Sequence, residues 1–249
     1  MASSAAPTGL GARLGSALVA MATAFVLLGA SILPFLAPPW IHFEQDRSDV
    51  ATLTGLSSQT VHDVTDQIVH DLVLGGDFRV SPGTRSALTP PSYLSEPDIA
   101  HMRDVRGVFA GFGLLALIGI GVLASTFRRA TAAGSTARAW AAIRRGASSL
   151  AVLMAVLGIL AIGAFDTVFE VFHRLFFAPG TYLFDPATDH LVQLFPDAFW
   201  SDTALAFGAF TVVLSLAVAW LAGRRAALSA TDPLEPAPRA ATAPGSGVS

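Results

Sequence analysis

Ser95-Glu96-Pro97-Asp98-Ile99-Ala100-His101-Met102-Arg103-Asp104-Val105 runs directly into the apolar stretch Val108–Phe127. A helix that starts in the polar segment carries its first side chains to the place where a membrane-crossing helix leaves the lipid. Ser95 is a good N-cap, Asp98 completes a capping box, and Pro97 suits a first helical turn but not an interior. On that helix Asp98, His101 and Asp104 follow one another at i, i+3 and share a face. A titratable imidazole between two carboxylates at a bilayer boundary is costly to keep for packing alone, which makes it a candidate functional site.

The rest of the chain agrees with a membrane setting. Its 249 residues are 53% hydrophobic and only 13% charged, with a mean hydropathy of +0.58. Soluble domains carry about 25% charged residues. The net charge of −3 comes with no basic patch interleaved with aromatics, so nothing points to nucleic acid. There is no Cys, which removes disulfides, thiolate nucleophiles and Cys-ligated metal together.

Apolar spans at 14–36, 105–127, 149–169 and 202–223 are each about long enough for a ~30 Å hydrocarbon core. The first is expected to be a retained helix, because Leu33-Pro34-Phe35-Leu36-Ala37-Pro38-Pro39-Trp40 offers no small-x-small cleavage site. The connection 128–148 holds Arg128, Arg129, Arg138, Arg144 and Arg145 with no acid, and Arg224-Arg225 follows the last span. The positive-inside rule therefore puts that loop, the N-terminus (1–13) and the tail (224–249) in the cytoplasm, the tail being disordered from about residue 229. Residues 37–104 and 170–201 then form a small extracytoplasmic subdomain containing all six histidines. The expected fold is an all-α membrane protein with four transmembrane helices, the second and third being antiparallel neighbours.

In the first outer loop, Ser57 or Ser58 can cap a helix over about 58–74 with Val61, Val64, Ile68, Leu72 and Val73 as its apolar stripe. Gly75-Gly76-Asp77 ends it, and Ser81-Pro82-Gly83 and Pro90-Pro91 mark turns. Gly107, Gly111, Gly113, Gly119 and Gly121 are expected at helix–helix contacts.

A second constellation closes the third span. Asp166, Glu170 and His173 recur at helical spacing among Phe165, Phe169, Phe172, Phe176 and Phe177. Phenylalanines interleaved with ionisable groups point to an apolar groove with a few polar points. His101 and His173, brought to one surface by neighbouring helices, make an acid–base pair. His42, His62, His70 and His190 read as ordinary hydrogen-bonding residues.

With these residues in view, His101-Met102-Arg103-Asp104-Val105 resembles a signature of the lipoprotein intramolecular transacylase (Lit) family of bacterial membrane proteins. So do Phe172-His173-Arg174-Leu175-Phe176-Phe177 and the closing Asp189-His190-Leu191-Val192-Gln193-Leu194-Phe195-Pro196 with Phe199-Trp200. The resemblance covers roughly residues 10–223. It implies transfer of the sn-2 acyl chain of a diacylglyceryl-modified lipoprotein onto the α-amino group of its N-terminal cysteine, giving a lyso-form lipoprotein. It further implies His101 and His173 as essential residues, with Asp104 as the orienting partner. Glu96, Asp98, Glu170, Phe172, Phe176, Asp189 and Trp200 are the expected substrate contacts. No cofactor and no metal is expected; the partners are the lipoprotein and membrane lipids, on the outer face of the cytoplasmic membrane. Two other readings compete: a metal-dependent lipid hydrolase built on motifs such as Glu170-Val171-Phe172-His173, and a non-enzymatic lipid, lipoprotein or haem-binding membrane protein.

Overall fold

A computed structural model of the protein describes residues 9–82 and 92–231. Of the expected turns, Gly83 and Pro90-Pro91 lie outside these residues, as does the tail from 232, whereas 224–231, expected as part of the disordered tail, are helical. The described chain forms α1 (Gly9–Ile32), α2 (Pro38–Arg47), α3 (Val50–Thr54), α4 (Ser58–His70), α5 (Glu96–Ala132), α6 (Ala137–Phe176), α7 (His190–Leu194) and α8 (Asp197–Thr231). Among the described residues there is no strand. The helices α1, α5, α6 and α8 are long and apolar enough to cross a membrane. At 1.5 Å per residue, the 37 residues of α5 and the 40 of α6 extend well past a ~30 Å hydrocarbon core. Most of 128–148, read as a loop, is therefore helix, and α5 and α6 join through a short turn about Gly134 (φ +72°).

Their arrangement departs from sequence order. α5 packs on α1, α1 packs on α6, and α6 packs along α8, while α5 and α6 hardly touch. The expected antiparallel pair is thus separated by α1. Small residues permit this: a Cβ on Gly119 would stand 2.9 Å from the Ala22 carbonyl oxygen, and one on Gly146 would stand 2.8 Å from the Ala20 Cα. Around these crossings Val19, Ala142, Ile143 and Ala222 form one core cluster. Leu27, Ala147, Leu150 and Ala219 form another. The expectation that all five α5 glycines lie at helix contacts holds for Gly119 only. Gly107, Gly111, Gly113 and Gly121 have nothing within 4 Å of a built Cβ. α6 is interrupted at Ala164 (φ −154°, ψ 50°), next to Gly163, so its last three turns take a direction of their own.

At one end of the bundle the polar segments fold together. The amphipathic reading of α4 holds for Val61, Val64 and Ile68, which are buried with Val50, Phe78, Leu94, Ile99, Met102, Leu191 and Leu194. Full burial of each such side chain is worth about 1.5–3 kcal/mol, which lets the subdomain hold together without disulfides. The helical path ends in a π-turn, Asp71–Gly75, and leaves Val73 exposed. Gln45, 1% exposed, donates to Thr65 Oγ1 (2.8 Å) and to the Leu194 carbonyl (3.1 Å), pinning α2 to α4 and α7. His42 bonds Asp66 (2.9 Å) and His62 bonds Asp46 (3.0 Å), with the two imidazoles stacked 4.0 Å apart. Arg47 pairs with Asp202, and Trp40 Nε1 donates to Thr203 Oγ1 (3.2 Å), seating α2 on α8. From α5, Arg106 donates to the Gly76 carbonyl (2.6 Å) and lies over the Phe78 ring (5.1 Å). The subdomain is thereby tied to the first turns of α5.

Candidate active site

α5 begins as its sequence predicts. Ser95 accepts from the Asp98 backbone N–H (3.3 Å), and Asp98 Oδ2 accepts from the Ser95 backbone N–H (3.0 Å) and hydroxyl (2.9 Å), which completes the capping box. That box fixes the phase of the helix and turns Ile99, His101 and Met102 inward. His101 is 7% exposed and His173, near the end of α6, is 8% exposed. Their rings face each other with centroids 6.1 Å apart and planes 21° from parallel. The ends of α5 and α6 that carry the histidines thus converge although the helices diverge elsewhere, and Phe112 and Phe176 also meet there (5.7 Å).

The walls are aromatic. Phe177 (4.8 Å) and Phe184 (5.4 Å) stand against His101. Phe169 (4.1 Å), Phe172 (5.5 Å) and Tyr182 (5.0 Å) stand against His173. Trp200, partly exposed, continues the wall through Phe169 (6.3 Å). His173 Nδ1 lies 2.8 Å from the Phe169 carbonyl oxygen. A carbonyl only accepts, so Nδ1 carries the hydrogen, and the Nε2 of the neutral ring keeps its lone pair. His101 Nδ1 is buried without a hydrogen-bond partner.

The acids divide. Asp104 is exposed and makes no hydrogen bond to His101, so the expected tautomer-setting contact is absent; three residues on from His101, its side chain leaves the buried face. Glu96 pairs with Arg79 (2.7 Å), and Glu170 pairs with Arg174 on the surface rather than with His173. Asp98 is fully buried with Oδ1 unpartnered, and it lies within electrostatic reach of Asp189 and His190. Asp189 Oδ2 accepts from the Asp185 backbone N–H (2.7 Å). Asp166 is exposed on the part of α6 that follows the break at Ala164. Among the described residues, no three His, Asp or Glu side chains are placed to share a metal ion.

Three participants were not singled out from sequence. Tyr93 stacks on His190 (4.1 Å, 11°), with its hydroxyl buried and unpartnered, and burial pushes its phenol above the usual range. Tyr182 and Phe184 reach the histidines from the second polar segment. The excess of aromatics between residues 165 and 200 was the available signal. It did not say which rings fold back.

The family model described as lipoprotein intramolecular transacylase Lit matches residues 17–200. Among solved structures, the Bacillus cereus membrane-integral lipoprotein intramolecular transacylase Lit, crystallised in meso, superposes with a TM-score of 0.71 at 19% identity. The match covers 89% of this chain and 98% of that one. A form of the same protein with one histidine replaced by arginine gives 0.68 at 18% identity, covering 88% and 93%. A form with a histidine replaced by alanine gives 0.61 at 20%, covering 88% and 95%. Among curated proteins there is no match.

Proposed function

Because the chain belongs to the lipoprotein intramolecular transacylase (Lit) family, a family of enzymes, we propose that it moves the sn-2 acyl chain of a diacylglyceryl lipoprotein onto the α-amino group of the N-terminal cysteine. The observation that carries this reading is the facing pair His101 and His173 inside an aromatic cleft. At 6.1 Å between centroids, the two imidazoles are close enough for both to serve one substrate group bound alongside them.

The roles follow from the ring nitrogens. An α-amino group has a pKa of about 7.7–8.0, so a modest base suffices to keep it neutral. His173 Nε2 takes one amine proton as the nitrogen attacks the ester carbonyl carbon. The C–N bond forms, the C–O bond to glycerol breaks, and His173 returns that proton to the departing glycerol oxygen. His101 donates a hydrogen bond to the carbonyl oxygen, where negative charge develops. The tautomer fixed by the Phe169 carbonyl supports His173 as the base. Ester and amine belong to one molecule, so proximity supplies much of the acceleration.

Phe172, Phe176 and Trp200 provide apolar surface for the acyl chains. Asp98 and Asp189 provide the negative charge that draws the α-ammonium toward the site. Glu96 and Glu170, held by Arg79 and Arg174, act as surface ion pairs. The divergence of α5 and α6 gives a lipid-borne substrate a lateral way in. The site faces the outer side of the cytoplasmic membrane, a reading supported by the arginines that crowd the opposite end. The test is mass spectrometry of the N-terminal peptide of a reporter lipoprotein, in cells with and without this protein. The lyso-form, with its amide-linked acyl chain, should appear only with the protein. An unchanged diacylglyceryl peptide, or a free fatty acid without the amide, would overturn the assignment.

A further inference from the structure

At the end of the bundle opposite the histidine pair lies an open recess of about 390 Å³, lined by Ala141, Arg144, Arg145, Ser148 and Ser149 of α6 and Ala226 of α8. Arg144 and Ser148 are one helical turn apart, as are Arg145 and Ser149, so two guanidinium–hydroxyl pairs occupy adjacent stripes of one helix. The Arg144 stem runs against α8 at Gly223, where a Cβ would stand 3.4 Å from the Arg144 Cδ. Arg145 is held toward α1 by Ser16 Oγ. Neither arginine has an ion-pair partner among the described residues, whose carboxylates fall within 44–104 and 166–202, at the other end. Both side chains are exposed, so an anion from outside the described chain can reach them.

We infer that this recess binds the phosphate of an anionic phospholipid from the leaflet opposite the active site. Guanidinium forks match phosphate oxygens two at a time, and the serine hydroxyls donate to the remaining ones. Basic recesses between membrane helices at the headgroup level suit anionic lipid heads. The neighbouring apolar surface of α6, Val152 and Val156, is exposed along the path an acyl chain would take.

The experiment is native mass spectrometry of the full chain released from nanodiscs of phosphatidylcholine doped with phosphatidylglycerol. The parent should retain phosphatidylglycerol in preference to phosphatidylcholine. A charge-assisted hydrogen bond to a phosphate oxygen is worth about tenfold or more, so R144Q/R145Q should lower retention by about a hundredfold. S148A/S149A should lower it less. R128Q/R129Q, at the same end but outside the recess, should leave it unchanged. Equal loss in R128Q/R129Q would mean a diffuse surface potential and would overturn the site. Equal retention of the two lipids, or parent-level retention in R144Q/R145Q, would also overturn it. Displacement of the lipid by millimolar inorganic phosphate or glycerophosphate would reassign the recess to a soluble anion. Circular dichroism of every variant checks that the bundle is intact.

Discussion

Replacing His173 by Gln removes the basic nitrogen while keeping a polar side chain of similar length, so the change is aimed at proton transfer. A positioned general base is typically worth about 10²–10⁴ in rate, or about 2.7–5.4 kcal/mol at 1.36 kcal/mol per tenfold. His101→Gln keeps an N–H donor but misplaces it. Loss of one donor at a developing oxyanion costs about 10²–10³. The rings are 6.1 Å apart and act on one transfer, so their effects should not multiply. His101→Gln with His173→Gln should be little worse than His173→Gln alone, well short of the product of the single losses. The assay is the initial rate of amide formation on a diacylglyceryl peptide in proteoliposomes, with protein matched by immunoblot. Full activity in His173→Gln would refute the base assignment. Strict multiplication in the double variant would refute the claim that the two imidazoles serve a single step.

Neutralising Asp104 discriminates this geometry from a triad: Asp104→Asn should fall far less than the about 10⁴-fold drop that follows when a triad carboxylate is neutralised, because Asp104 is exposed and does not bond His101. In thermal unfolding in detergent, Gly146→Ala should lower stability by about 1–3 kcal/mol or more, since its Cβ meets the Ala20 backbone, whereas Gly121→Ala, with open space around it, should be neutral or stabilising. Arg106→Gln gives up a charged donor to the Gly76 carbonyl and a cation over Phe78; hydrogen exchange should report opening of residues 71–80 by about 1.5–3 kcal/mol. If exchange there is unchanged, Arg106 does not hold the subdomain on α5.

Local features were legible in the sequence. The Ser95–Asp98 box, the four apolar spans, the α4 stripe and the two histidine-bearing helix ends all follow from chemistry within a few residues. Long-range choices were not. A glycine in an apolar helix reads the same whether lipid or another helix lies beside it, so Gly119 could not be told from Gly107, Gly111, Gly113 or Gly121. Glu44 and Gln45 look like surface residues, yet both are buried; Glu44 pairs with Arg47 on its own helix, but the partners of Gln45, Thr65 and Leu194, come from elements whose folding together the local pattern does not encode. Asp104 had the right spacing from His101, but i+3 spacing admits side chains on either flank of a face. The capping box turned the helix so that His101 went in and Asp104 went out.

The position of α1 has a consequence for how the chain is made. The two helices that carry the histidines are translated consecutively and joined by a tight turn, so on leaving the translocation machinery each would find the other first. A hairpin of α5 zipped against α6 would be compact, and its glycine-lined flank offers little to oppose it. The wedge that keeps them apart is synthesised earlier and already sits in the bilayer when they arrive. A chain expressed as two pieces split between α4 and α5 would therefore regain its cleft only when the earlier piece is supplied.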